Sequence, residues 1–372
     1  MSDTATGRAT PQPGLYDLEP AELVTQLEAW GEKPFRARQI STWLYQRFTD
    51  DPAAMTDLPA PLRQRLGETF AQGRFTQRAE QVSTDGWTRK WLLALPDGAE
   101  IEVVLMEYDG QRRTACISSQ AGCAMGCSFC ATGQMGFLRN LRAGEIVEQV
   151  MWVSRALAAR GERLSNLVLM GMGEPFANFT QVMAALDTLT RPEDAGGYGL
   201  GARRITVSTV GLVPGIERFA ERDSQVNLAV SLHAATDALR ATMLPVNQRY
   251  PLDALARAIG AYQRRTNRRV SLEWALIDGV NDTPEQAEAL VDFVRRCFDP
   301  RREGRHLTHV NAIPLNPTSG FVGAASRAAR IAQFREILDR AGIPNTVRQR
   351  RGIDIAAGCG QLRKRAAGGD PA

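Results

Sequence analysis

The chain has 372 residues, 44% hydrophobic and 23% charged, which gives it apolar mass for a large core and excludes the composition of disordered or fibrous chains. The net charge of +4 is modest, but the cations are nearly all Arg and cluster at Arg203-Arg204, Arg264-Arg265, Arg268-Arg269, Arg301-Arg302, Arg350-Arg351 and Arg363-Lys364-Arg365. Such clusters suit phosphate contacts and equally suit solvated helix ends, so charge alone names no partner.

The opening MSDTATGRATPQPG lacks the apolar core of a signal peptide, and no run of about 18 apolar residues follows, so a soluble cytoplasmic protein is expected. Residues 1–14 read as a flexible tail. Residues 15–92 read as a small accessory domain, helical to about Ala71 in PAELVTQLEAWG, KPFRARQISTWLYQRF and PAPLRQRLGETFA, with Pro at or near the starts. WTRKWLLALPDG and AEIEVVLMEY then predict a hairpin around an Asp-Gly turn, leading into a main domain over 93–372.

From Arg113 onward six strand-like runs alternate with helical patterns: TACISSQ, NLVLMGMG, RITVSTVG, NLAVSLHA, VSLEWALIDG and HVNAIPLNP. This alternation predicts a parallel sheet. Eight units would close a full barrel, so six predict an open, partial (β/α)6 barrel with its site at the carboxyl ends of the strands.

Six cysteines in this context argue against a disulfide framework, and three of them crowd into Cys123-Ala-Met-Gly-Cys127-Ser-Phe-Cys130, directly after the first strand. Three thiolates are one too few for a structural zinc or a common 4Fe-4S site, which would have to recruit Cys116, Cys297 or Cys359. The other reading is a cluster with one open iron that chelates the amino and carboxylate groups of S-adenosylmethionine. The CxxxCxxC spacing, with Phe129 before the third cysteine, closely resembles the signature of the radical S-adenosylmethionine superfamily.

Gly171-Met172-Gly173-Glu174-Pro175 is by itself a tight turn. One unit after the cysteine loop, it resembles the superfamily's GGEP-like segment, which implies that Gly173 and Glu174 bind the cofactor. Ser208, Ser231, Leu232, His233 and Asn316 lie at the carboxyl ends of later strands and are further cofactor candidates. His306 and His309 have no ligand spacing to the cysteines and read as structural or surface residues, and Cys297 as a packing residue.

Over about residues 30–365 the chain resembles the RlmN/Cfr-type RNA adenine methyltransferases, in their RlmN branch. The resemblance rests on KPFRARQISTWLYQR, TACISSQAGCAMGCSFCATGQMGFLRNL, LVLMGMGEPFAN, RRITVSTVGLVPGI, LAVSLHA and RRGIDIAAGCGQL. Gly358 stands where Ala is usual and Leu315 where an aromatic is usual, and neither change removes a functional group.

The resemblance implies methylation of carbon 2 of adenosine in 23S ribosomal RNA and beside the anticodon of transfer RNA, with a 4Fe-4S cluster and two S-adenosylmethionine molecules per turnover. Cys359 would carry the methyl group, Cys116 would release the product through a transient disulfide, and Glu102 would accept the proton, although an outward-facing strand Glu reads equally well. It also implies RNA contacts by the accessory domain, an electron donor such as flavodoxin or ferredoxin, and a monomer. Against it stand a Cfr-like enzyme acting at carbon 8, a non-catalytic iron-sulfur RNA-binding protein, and a structural zinc protein.

Overall fold

Three helices open the chain, α1 (Pro20–Ala29), α2 (Phe35–Tyr45) and α3 (Ala60–Thr69). Proline caps or begins each one, where a missing N–H costs no helical bond. Leu23 and Leu27, Ile40 and Leu44, and Leu62 and Leu66 recur at helical spacing and bury one face, so this helical part shares a continuous core with the rest of the chain. The computed structural model describes residues 12–108, 112–297 and 307–362.

Most of the tail expected over 1–14 lies outside the described residues. Pro13, however, accepts a bond from the Ala71 amide, and Gly14 bonds Asp17. His306, Arg301-Arg302 and Arg363-Lys364-Arg365 also lie outside them.

The helices end at Thr69, and the chain then enters a ten-stranded sheet. Its first three strands are antiparallel: β1 (Thr76–Val82), β2 (Thr88–Ala94) and β3 (Glu100–Tyr108). The β2–β3 hairpin is the expected one, turning at Gly98 with a left-handed φ of 81°. β1 gave no strand signal because its sequence, TQRAEQV, is mostly polar and exposed, as suits a sheet edge.

β4 (Arg112–Cys116) pairs antiparallel with β3 and begins the parallel series. A two-stranded hairpin follows, β5 (Gln120–Gly122) and β6 (Phe137–Asn140), with the short helix α4 (Ala131–Gln134) between them. The chain then alternates α5 (Ala143–Ala158), β7 (Asn166–Leu169), α6 (Phe179–Thr190), β8 (Ile205–Thr209), α7 (Val213–Ala220), β9 (Asn227–Ser231), α8 (Asp237–Met243), α9 (Leu252–Thr266), β10 (Val270–Leu276), α10 (Pro284–Cys297) and β11 (Thr308–Pro314). After α11 (Ala328–Arg340), the three-residue β12 (Asn345–Val347) adds parallel to β11.

All six expected strands are present, and the sheet order β4-β7-β8-β9-β10-β11 follows the chain, as a partial (β/α)6 barrel requires. Their middles are near-continuous apolar runs because they are covered on both faces.

A buried ion network fastens the helical part to the barrel. Arg74 Nε donates to Glu148 of α5 at 2.8 Å, and its Nη1 donates to Asp17 at 2.6 Å. Burial, opposed by Arg74, pushes the Glu148 carboxyl up to about 7.

Candidate active site

The cysteine loop is the crossing between β5 and β6. Its ends meet where the Cys123 amide donates to the Gly136 carbonyl at 2.9 Å. Gly122 permits that closure: its φ is +75°, and a Cβ there would lie 2.1 Å from the Gly136 oxygen. The Ser128 amide bonds Met243 O and the Cys130 amide bonds Cys127 O, so the loop is rigid before any ligand arrives.

Cys123, Cys127 and Cys130 are free thiols that line one side of a cavity of about 160 Å³, partly open to solvent. Burial, then the proximity of its two companions, raises the Cys127 thiol well above its ordinary range. A metal centre would relieve that by binding all three as thiolates. Among the described residues no three His, Cys, Asp or Glu side chains converge as ligands of one ion. Three thiolates leave one iron of a four-iron cluster open for a further ligand, whereas a structural zinc would need a fourth protein ligand.

The opposite side of the cavity is built from strand ends. Leu169 of β7, Ser208 and Thr209 of β8, Ser231 of β9, Ala275 of β10 and Ile313 of β11 all reach it. Gly173 and Glu174 lie against the cysteines. Gly173 has φ +98°, and a Cβ there would meet Gln120 at 2.5 Å. The Glu174 carboxylate accepts the Phe176 amide at 3.0 Å and the Val210 amide at 2.8 Å, while burial lifts its pKa to about 7. A buried carboxyl that gains by meeting a cation suits the ammonium of a methionine moiety.

His233 has a φ of 59°. Its Nδ1 accepts the Ala275 amide at 2.9 Å, and burial holds its pKa down near 3, so the ring is neutral with its proton on Nε2. Phe129 meets it edge-on, with centroids 4.8 Å apart.

Asn316 also lines the cavity, and its buried Oδ1 has no hydrogen-bond partner among the described residues. An orphaned acceptor facing a cavity invites a donor from a bound molecule, such as an amine or a ribose hydroxyl. The pocket thus fits a cluster together with S-adenosylmethionine. Leu232 is a different matter: its side chain is wholly buried in the core, facing away from the cavity between Ser231 and His233.

Cys359 stands on the wall between this cavity and a second one, lining both. The second cavity holds Cys116, Met106, Tyr108, Arg348, Arg350 and Arg351. Cys116 is fully enclosed, and burial, with Cys359 nearby, pushes its thiol up to about 12.

The terminal segment is bonded to the cysteine loop itself. The Ala131 amide donates to Gly360 O at 2.7 Å, Thr132 Oγ1 donates to Leu362 O at 2.5 Å, and Asn316 Nδ2 donates to Cys359 O at 3.1 Å. These bonds carry a cysteine from the far end of the chain to the mouth of the barrel.

Glu102 lines neither cavity. It is buried beside Lys90, whose Nζ lies 2.9 Å from its carboxylate and also reaches Ala356 O. Neighbouring positions on β2, β3 and β4 put Lys90, Val104 and Cys116 in one row, so Glu102 shares the sheet face of Cys116 without reaching its cavity. Cys297 packs in the core of α10, and His309 Nε2 lies 3.4 Å from Thr346 Oγ1.

Three important side chains escape sequence reading. Arg240 is completely buried, donating to the carbonyls of Leu232 and Val210 and to Asn247 Oδ1 at the ends of β8 and β9. Glu273 lines the first cavity and accepts from Asn311. Arg348 touches the Cys359 sulfur. An Arg cluster was visible nearby at Arg350-Arg351, but nothing local distinguished Arg348.

A thiol loop of this kind at the carboxyl ends of a six-unit barrel defines a radical S-adenosylmethionine enzyme, and residues 117–294 match the family model of the Radical SAM superfamily. Membership implies a 4Fe-4S cluster and S-adenosylmethionine. Residues 14–71 match the ribosomal RNA large subunit methyltransferase N-terminal domain.

The chain is 51% identical over 357 residues to a probable dual-specificity RNA methyltransferase RlmN of Chloroflexus aurantiacus, covering 94% of this chain and 93% of that one. It is 48% identical to the dual-specificity RNA methyltransferase RlmN 1 of Myxococcus xanthus, covering 94% of each. A crystal structure of a radical SAM methyltransferase from Sphaerobacter thermophilus superposes with a TM-score of 0.89 at 48% identity, covering 94% of this chain and 99% of that one. The chain belongs to the RlmN family of radical S-adenosylmethionine methyltransferases. No helix among the described residues is long and apolar enough to cross a membrane.

Proposed function

We propose that the chain methylates carbon 2 of adenosine in 23S ribosomal RNA and in transfer RNA, carrying the methyl group on Cys359. The observation that carries this reading is the position of Cys359 on the wall shared by two cavities, one with the three loop cysteines and one with Cys116. A carbon carrier between cofactor and acceptor needs that position. Family membership and the names of the relatives support RNA as the substrate. The arginines that line the second cavity are suited to contact the phosphate backbone of an RNA.

Adenine carbon 2 lies between two ring nitrogens and is too electron-poor to attack a methyl sulfonium directly. Cys359 solves this in stages. As a thiolate it displaces the methyl group of one S-adenosylmethionine, forming its own sulfur–carbon bond as the sulfonium–methyl bond breaks. Cys123, Cys127 and Cys130 would hold the cluster, which would supply the electron for cleaving a second S-adenosylmethionine, and the Cys359 methyl group would be the hydrogen donor to the resulting radical. Glu174, His233 and Asn316 would hold the cofactor while Phe129 and the aliphatic strand ends exclude water.

The activated carbon adds to adenine carbon 2 and joins RNA to Cys359. The adduct then gives up one electron, which would return to the cluster, and its carbon-2 proton, which leaves to a base. The methylene carbon takes up a proton when its bond to sulfur later breaks. Cys116 then attacks the Cys359 sulfur, forming a disulfide as the sulfur–carbon bond breaks and the methylated base leaves. An external donor, of the flavodoxin or ferredoxin type, must return two electrons to restore the thiols. The protein acts as a monomer in this scheme, with the helical part before the sheet contributing RNA contacts.

The test is anaerobic reconstitution with reductant and methyl-labelled S-adenosylmethionine on unmodified RNA, with the product base identified by mass spectrometry. 2-Methyladenosine from the wild type, none from Cys359→Ala, and a covalent protein–RNA adduct from Cys116→Ala are the expected results. 8-Methyladenosine would move the chemistry to carbon 8. Cofactor cleavage without methylated adenine would overturn the reading.

A further inference from the structure

Two thiols face the second cavity, and of these Cys359 also lines the first, so its sulfur has to be held at the wall between them. Arg348 supplies that hold. Its amide donates to Ala312 O at 2.7 Å, extending the β11–β12 pairing and fixing the root of the side chain. Its Nη1 lies 3.6 Å from Cys359 Sγ and 4.0 Å from Met170 Sδ. The guanidinium is half-buried, and Cys359 first, then Glu273, Tyr108 and Cys116 around it raise its already high pKa. Glu273, on β10, is in turn held by Asn311 Nδ2 at 2.7 Å.

Two neighbouring cations are engaged elsewhere: Arg351 lies over the rings of Tyr108 and Trp87, at 4.6 and 5.9 Å, and Lys90 is paired with Glu102. Among the described residues Arg348 is the cation with a contact to the Cys359 sulfur, whereas Cys116 is buried on β4.

We propose that Arg348 is a positioning residue that selects Cys359 over Cys116 as the methyl-accepting thiol, fixing its sulfur at the wall between the two cavities. The inference rests on the proposed reaction. Asn316 and the cysteine loop hold the backbone of the terminal segment. Arg348 orients the side chain through the contact of its guanidinium with the sulfur. In the step itself the sulfur lone pair forms the new bond to the methyl carbon. The sulfonium–methyl bond breaks, its electrons stay on the departing thioether, and the opposite charges of thiolate and sulfonium cancel.

The experiment uses reconstituted holoenzyme, in which the three loop cysteines are protected. Iodoacetamide modification of Cys359 and Cys116 is followed by peptide mass spectrometry near neutral pH, and methyl transfer to Cys359 is timed in parallel. Wild-type Cys359 should react at least about tenfold faster than Cys116 near neutral pH, and equal rates would overturn the proposal without any variant. In Arg348→Gln the alkylation preference for Cys359 should be lost and methyl transfer should slow about tenfold, while Arg348→Lys keeps the charge and restores both. An unchanged preference and transfer rate in a folded, iron-loaded Arg348→Gln would also overturn it. Wild-type protein that never carries methyl on Cys359, yet keeps the alkylation preference and loses it in Arg348→Gln, would overturn the proposed reaction and support the role of Arg348.

Discussion

Gly122→Ala tests whether closure of the cysteine loop holds the metal centre. The residue has φ +75°, which costs an Ala about 1–2 kcal/mol. Its new Cβ would lie 2.1 Å from the Gly136 oxygen, so the hairpin must open and lose the Cys123–Gly136 bond, costing about 1 kcal/mol more. The total, about 2–3 kcal/mol, corresponds to roughly 30- to 150-fold weaker retention of a cluster that needs the closed loop.

Gly136→Ala is the matched control. Gly136 has φ +79° with nothing within 4 Å of an added Cβ, so it bears the backbone cost alone. Because β5 and β6 form a sheet of their own, both variants should keep the main fold. The assay is iron per chain and visible absorbance after anaerobic reconstitution and gel filtration, with circular dichroism as the folding check. Equal iron retention in Gly122→Ala and Gly136→Ala would refute the reasoning, because the clash would then count for nothing.

Arg74→Met should lower unfolding free energy by about 3–5 kcal/mol in urea melts, because it leaves Glu148 and Asp17 without their shared cation. Glu148 has its folded pKa raised from 4.5 to about 7, so its contribution is full below about 4.5 and is lost as pH rises through about 7. The stability advantage of the wild type over Glu148→Gln should therefore narrow across that window. His233 is depressed from 6.5 to about 3 and contributes in the opposite sense, with stability present above 6.5 and lost as pH falls through about 3. Its ring proton resonances should stay flat from about pH 8 to 5, and a midpoint near 6.5 would contradict its burial. Thr132→Val removes the bond to Leu362 O and should cost about 1 kcal/mol, seen as faster hydrogen exchange at residues 358–362 with the barrel unchanged.

The chain's own order determined much of this protein. Apolar periodicity marked all six parallel strands because each is buried on both faces, and the Asp-Gly turn marked the hairpin before them. The CxxxCxxC segment was legible because a metal-binding loop is local, its ligands a few residues apart. β1 and β12 were missed for lack of apolar pattern in one and of length in the other. Spacing alone gave Cys116 and Cys359 no role; resemblance to a family supplied it.

Only the tertiary structure decided what those thiols face. Strand order and the bonds from Ala131, Thr132 and Asn316 bring Cys359 to a wall between two cavities. The same packing turned Leu232 into the core, paired Glu102 with Lys90, and set Arg348 against a sulfur. Whether a side chain is ligand, partner or filler depends on neighbours distant in the sequence, and short-range spacing does not encode them.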